Sequence, residues 1–227
     1  MTSGRLYVVA TPIGNLADFS SRAAQTLKNV DWIACEDTRH SKFLLDYYGI
    51  ERPLISYHDF SESKKAPELV RRLSQGERGA LISDAGMPGL ADPGYRLISQ
   101  AAAAGVPVEV IPGASAFLTA LVASGFPMDR FVFEGFAPVK SGAKKKWLSV
   151  LAKEGRTVVF YESPHRIVKT LQAMLEELGD IRVCVARELT KKFEEVLRDR
   201  LSALIERFSR GKVLGEFVVV WSPNEGS

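Results

Sequence analysis

The stretch Ser83-Asp84-Ala85-Gly86-Met87-Pro88-Gly89-Leu90-Ala91-Asp92-Pro93-Gly94 holds three glycines, two prolines and two aspartates. Side chains this small leave backbone N–H and C=O groups open to a ligand, and the prolines limit how far those groups can swing. Such a segment suits reading an adenine edge or an amino-acid moiety by backbone. Of its side chains, Asp84 and Asp92 can titrate. Asp92-Pro93-Gly94 also reads as a helix start, with Asp92 as the cap and Pro93 at the first helical position.

Other loops share this character. Thr11-Pro12-Ile13-Gly14-Asn15 and Pro112-Gly113-Ala114-Ser115-Ala116 are turns of small residues with hydroxyl or amide groups. Glu36-Asp37-Thr38-Arg39-His40 puts four ionisable groups in five residues, costly at a strand end unless they are solvated or functional. Asp37 serves equally as a helix cap, and His58 equally as a structural histidine in His58-Asp59-Phe60-Ser61-Glu62. Later come Tyr161-Glu162-Ser163-Pro164-His165-Arg166 and Ala186-Arg187-Glu188-Leu189-Thr190-Lys191. Asp84, Asp37, Glu36 and Glu188 are therefore candidate proton acceptors, and each could instead pair with Arg39, Arg187 or Lys191. The chain lacks Gly-x-Gly-x-x-Gly, a Gly-Lys-Ser/Thr phosphate loop, a Gly-x-Ser-x-Gly elbow and metal-ligand spacing of Cys or His. Dinucleotide, nucleoside-triphosphate, acyl-transfer and metal chemistry lose support accordingly.

The chemistry-bearing segments follow short apolar runs, which the pattern predicts as strands: Leu6 to Ala10, Trp32 to Cys35, Leu54 to Tyr57, Ala80 to Ser83 and Val108 to Ile111. Between them lie helical patterns at Ser20 to Val30, Ser41 to Tyr48, Ala66 to Gln75 and Gly94 to Ala104, three of them closed by Gly49, Gly76 and Gly105. A helix from Ser115 to Ser124 ends this half. Alternation at this spacing predicts an α/β domain with a mainly parallel sheet and helices on both faces. In such sheets ligands collect beyond the carboxyl ends of the strands, which is where these loops fall.

Gly125-Phe126-Pro127-Met128-Asp129 has the composition of a hinge, giving an N-terminal domain over 1–124 and a C-terminal domain over 125–227. The second half predicts strands Phe131 to Phe136, Thr157 to Tyr161, Arg182 to Ala186, Glu194 to Arg198 and Val213 to Trp221, the last apolar enough to be central in its sheet. Helices are expected at Lys144 to Lys153, Ile167 to Leu178 and Leu201 to Phe208.

A chain of 227 residues with 46% hydrophobic and 25% charged residues can bury two cores. No apolar run reaches membrane-spanning length and the N-terminus lacks a secretory layout, so a cytoplasmic location is expected. Cys35 and Cys184 read as buried, reduced core residues. The net charge of +3 does not by itself announce nucleic acid. Lys140, Lys144, Lys145 and Lys146, and later Arg187, Lys191 and Lys192, form clusters that could track a polyanion or simply be solvated.

Taken in order, these blocks resemble the tetrapyrrole-methylase superfamily, in its bacterial ribosomal-RNA branch. The resemblance rests on Thr11 to Leu16, Glu36 to Arg39, Ser83 to Pro88 with Asp92 to Gly94, Pro112-Gly113, Phe160 to Ser163 with His165-Arg166, Ala186 to Lys191, and Gly215-Glu216. It implies two α/β domains, usually in a homodimer, with S-adenosylmethionine in a cleft between them. Carried over position by position, the cofactor contacts fall on Pro12, Ile13, Ala85, Gly86, Met87 and Leu90. They continue on Ser115, Ala116, Glu162, Leu189, Gly215, Glu216 and Phe217. The implied activity is 2′-O-methylation of a cytidine in the decoding region of small-subunit ribosomal RNA. Asp84 and Glu188 are the catalytic candidates, and Arg39, Arg166, Arg187 and Lys191 the candidates for RNA phosphates. The branch commonly has Thr at the position of Met87, and its members often continue with a helical segment beyond the last strand. The alternatives are a methylase of a tetrapyrrole or other small molecule, and a noncatalytic RNA-binding assembly protein.

Overall fold

In the computed structural model, which describes residues 4–223, the chain divides into two compact units, residues 1–115 and 116–227. In the first, strands β1 (Arg5–Val9), β2 (Trp32–Cys35), β3 (Leu54–Ser56), β4 (Arg78–Leu81) and β5 (Val108–Ile111) alternate with helices α1 (Ser21–Lys28), α2 (Thr38–Tyr47), α3 (Asp59–Ser74) and α4 (Tyr95–Ala103). The strands pair in the order β3-β2-β4-β1-β5, all parallel. Strand alternation sorts the side chains onto two faces. Val9, Ile33, Cys35 and Ala80 pack with Ala23 and Leu27 of α1 and Leu44 and Leu45 of α2. Leu6, Val8, Trp32, Ala34 and Leu81 pack with Leu69 and Leu73 of α3 and Leu97 and Ala101 of α4. The predicted two-faced parallel sheet is what forms.

Neighbouring strands of this sheet send their connections to opposite faces, β1 and β4 among them. From β1 the chain runs through α1 on one face toward β2, and from β4 it runs through α4 on the other face to β5. The neighbouring strands β1 and β4 therefore send their loops in opposite directions. The crevice at such a point is the usual ligand position in open α/β sheets.

Two local expectations change. Helix α3 begins at Asp59, well before Ala66, because Ser61 Oγ accepts from the His58 N–H at 3.1 Å and closes the first turn. Pro67 sits in its interior on the exposed side. Asp92 and Pro93 do not start α4. Its cap is Gly94, whose φ of 151° an L side chain rarely adopts, and a Cβ there would stand 3.1 Å from the Gly89 nitrogen.

The second unit contains α5 (Ala116–Ser124), β6 (Phe131–Phe136), α6 (Ser141–Leu151), β7 (Thr157–Glu162), α7 (Ile167–Leu178), β8 (Arg182–Arg187), β9 (Glu195–Arg200), α8 (Leu201–Ser209) and β10 (Phe217–Trp221). Its sheet has the order β6-β7-β10-β8-β9. Only β6 and β7 are parallel; β10 runs antiparallel to both neighbours at the centre, as its apolar sequence predicts. Leu148, Leu171, Met174 and Leu204 from α6, α7 and α8 pack on Val158, Phe160, Val185 and Val219. Helix α5 lies on β7, β8, β9 and β10, so it belongs to this unit. The division thus falls one helix earlier than the Gly125 to Asp129 hinge. Both cysteines are free and buried. No described helix is long and apolar enough to cross a membrane, and the described residues contain no group of His, Cys, Asp and Glu able to hold a metal.

Candidate functional site

The crevice of the first unit is built by a short bridge. Thr11, just beyond β1, donates its N–H to the Gly86 carbonyl at 2.9 Å, and Gly86 returns its own N–H to the Thr11 carbonyl at 3.2 Å. Thr11 Oγ1 donates to the Ser83 carbonyl at 3.1 Å, and Ser83 Oγ to the Gly86 carbonyl at 3.1 Å. Both hydroxyls are buried and spent on backbone, so they fix the loop and leave its outer surface free. Gly86 has φ of 80°, and a Cβ there would lie 3.4 Å from Ile13 Cγ2 and 3.6 Å from the Ala114 carbonyl. Three loops, following β1, β4 and β5, therefore meet at one glycine. Around it Ala85 is exposed and Pro12 and Ala114 are half-buried, while Ile13 and Gly86 itself are buried. Leu90 adds an exposed apolar side chain, and Met87 packs inward against the α3–α4 core.

Carboxylates gather beside these loops and divide by role. Asp37 caps α2, accepting from the Arg39 N–H at 2.8 Å and the His40 N–H at 3.4 Å. Those bonds, the Arg39 amide first, hold its carboxyl below the ordinary range. Asp84 Oδ1 accepts from the Asp37 N–H at 3.3 Å, while His40 Nε2 lies 3.2 Å from the Asp84 carbonyl oxygen. Glu36 goes the other way: burial and then the charges of Asp92, Asp84, Asp59 and Asp37 push its carboxyl upward. A carboxyl raised by folding stabilises the fold fully below its unfolded value, and that contribution is lost as pH rises through the folded value. Glu36→Gln should therefore flatten the loss of stability seen on raising the pH from about 4 toward 7. Urea unfolding of both proteins across that interval checks it, and parallel curves would remove Glu36 as the source.

The second unit carries two charged networks. Glu162 is fully buried at the end of β7. Its Oε1 accepts from the Ser163 N–H at 2.8 Å and from Arg166 Nη2 at 2.7 Å. Its Oε2 accepts from Thr170 Oγ1 at 2.5 Å, with Lys144 Nζ 3.8 Å away. Lys144 in turn donates to Thr170 Oγ1 at 2.5 Å. This corrects the reading of Lys144 as part of a surface cluster. It shares the buried stripe of α6 with Leu148 and Leu151, and that spacing of four and then three residues was the available signal.

The other network fixes the Ala186 to Lys191 turn. Glu188 and Thr190 have φ of 50° and 66°, unusual for residues with side chains. Glu188 Oε1 accepts from Lys191 Nζ and from the Glu216 N–H, both at 3.0 Å, and Lys191 also reaches Glu216 Oε2 at 2.9 Å. Burial opposes the Glu188 charge, yet these donors outweigh it and hold the carboxyl below its ordinary range. Gly215 (φ 97°) is obligatory here, because a Cβ would stand 2.5 Å from Glu188 Cγ. Gly215 and Glu216 thus precede β10 and lock against Glu188, while Leu189 and Phe217 turn into the core. Arg187 pairs with Glu195 at 3.3 Å. Of the four basic candidates, Arg39 alone has a side chain largely in solvent, 91% exposed and 3.5 Å from Asp37.

A parallel crevice with a backbone-lined loop and no glycine fingerprint defines a class. The chain belongs to the tetrapyrrole (corrin/porphyrin) methylases, whose family model matches residues 5–205. Among its relatives is the ribosomal RNA small subunit methyltransferase I of Haemophilus influenzae, 49% identical over 221 residues, covering 96% of this chain and 78% of that protein. The protein of the same name from Thermotoga maritima is 44% identical over 222 residues, covering 98% and 100%. Among solved structures, uroporphyrin-III-C-methyltransferase from Thermus thermophilus shares the fold with a TM-score of 0.66 at 18% identity, covering 97% of this chain and 95% of that one. A diphthine synthase does so with a TM-score of 0.73 at 17% identity, covering 96% and 89%.

Proposed function

We propose that this chain methylates the 2′-hydroxyl of a cytidine in the decoding region of small-subunit ribosomal RNA, using S-adenosylmethionine. The observation that carries this reading is the near-full-length similarity to proteins named ribosomal RNA small subunit methyltransferase I. The meeting of three loops at Gly86 supports the cofactor part, since it brings Ile13 and the Ala114 carbonyl within van der Waals reach of a residue whose positive φ suits glycine. In this reading Pro12, Ile13, Ala85, Gly86 and Leu90 hold the cofactor by backbone and apolar contact. Met87, Ser115, Ala116, Glu162, Leu189 and the Gly215 to Phe217 segment are further contacts. S-adenosylmethionine supplies an electrophilic methyl group on a sulfonium.

What the protein adds is alignment of the ribose oxygen, exclusion of water and removal of its proton. Asp84 is the proposed proton acceptor, because Asp37 and Glu188 are committed to capping and clamping bonds that lower their basicity. Glu188 is accordingly a positioning residue. Arg39, exposed at the start of α2, meets an RNA phosphate, whereas Arg187 and Lys191 hold their loops. The protein works in the cytoplasm as a homodimer. The test is methyl transfer from labelled S-adenosylmethionine to assembled small subunits, free ribosomal RNA and a uroporphyrin-type macrocycle in parallel. Label in the RNA is expected; label in the macrocycle alone rejects the substrate, and failure to bind S-adenosylmethionine by calorimetry rejects the enzyme.

A further inference from the structure

The second unit has a cavity of about 420 Å³ between the start of α6 and the exposed side of α7. Its lining is polarised. At one end stand Lys144, His165, Arg166 and Lys169, beside Ser141 and Gly142 in the first turn of α6; at the other are Glu176 and Glu177. Lys145 is tied to the acidic end by its 2.8 Å pair with Glu177. At the basic end Lys144 and Arg166 share a single buried carboxylate, Glu162, and Lys169 adds a further charge from an exposed position. Burial, and then the charges of Arg166 and Lys169, oppose the pairing with Glu162 and draw the Lys144 ammonium below its usual range. Positive charge here exceeds what the protein itself neutralises. The first turn of α6 contains no acidic side chain that would occupy its free N–H groups.

We propose that the basic end of this cavity binds one backbone phosphate of the RNA substrate. A phosphodiester carries one full negative charge on oxygens that accept from lysine and arginine together, and the three cations set against the one carboxylate of Glu162 leave positive charge to receive it. The inference rests on the RNA-methylating reading and extends its substrate contact to the second unit.

The test measures binding of deproteinised small-subunit ribosomal RNA across a salt series, with Lys169→Ala, Lys169→Arg and Lys28→Ala beside the unaltered protein. Lys169 is exposed, so its truncation leaves the fold intact, and Lys28 is an exposed lysine in the first unit that removes equal charge elsewhere. Loss of one phosphate contact should lower the slope of log affinity against log salt by about 0.7–0.9 and weaken binding about fivefold at 0.1 M salt. Lys169→Ala should show this, with the KM for RNA raised by a similar factor and S-adenosylmethionine affinity unaltered. Lys169→Arg should restore most of the loss, and Lys28→Ala should behave as the unaltered protein. An unchanged slope in Lys169→Ala, or an equal loss in Lys28→Ala, overturns the assignment while the functional reading stands. If the unaltered protein transfers no label to RNA or subunits, the functional reading falls and this one with it.

Discussion

Asp84→Asn is expected to lower methyl transfer to ribosomal RNA by on the order of 10²- to 10⁴-fold, the usual scale for a general base. Calorimetric affinity for S-adenosylmethionine should be nearly unchanged. Asparagine keeps an oxygen for the Asp37 N–H, so the loop geometry survives, but the group that would receive the ribose proton is gone. The other carboxylates cannot easily replace it. Asp37 holds the first turn of α2 and Glu188 is bound by Lys191 and the Glu216 amide, each with its basicity reduced. Glu36, with its carboxyl pushed upward, is the one neighbour suited to take over. A fall of less than tenfold in Asp84→Asn, with a large fall in Glu36→Gln, would move the role to Glu36.

The second large effect concerns stability. Glu162→Gln keeps shape but removes the one buried negative charge facing Lys144 and Arg166. Breaking a buried ion pair from one side costs about 3–5 kcal/mol, because the remaining charge stays desolvated and unpaired. For a chain of this size that corresponds to a fall in Tm on the order of 10 °C. Adding Lys144→Met should recover part of the loss, since the double variant no longer buries an unpaired ammonium. Chemical denaturation of the single and double variants forms a cycle that isolates the coupling. A loss under about 1 kcal/mol in Glu162→Gln would mean that Lys144 sheds its proton or turns to solvent at little cost.

The sequence made the strands and their following loops legible because two signals agreed there. Short apolar runs ended in clusters of Gly, Pro and polar residues, and at Ser83 to Pro88 that agreement located the crevice loop. What stayed hidden depended on partners distant in the chain. Lys144 reads as solvated because lysines usually are, and only Glu162 and Thr170 explain its burial. Asp92-Pro93 has the chemistry of a helix start, but the close approach of Gly94 to Gly89 decides where α4 begins. The boundary between units was misplaced because α5 is apolar and could cover either sheet. Its packing on β7 to β10 is a tertiary fact. Glu188 reads by type as a proton acceptor, and its bonds from Lys191 and the Glu216 amide depend on partners the sequence does not place beside it.

The central place of β10 bears on the order in which the protein matures during synthesis. All five strands of the first sheet lie within residues 5–111, so that unit has its full set of hydrogen-bonding partners early. The second sheet cannot close on the same schedule. Until residues 217–221 emerge from the ribosome, β6–β7 and β8–β9 are separate pairs, with β7 and β8 each presenting an unpaired apolar edge. Such edges are open to association with other nascent chains. Synthesis that pauses shortly before β10 should leave a folded first unit tethered to an aggregation-prone second one.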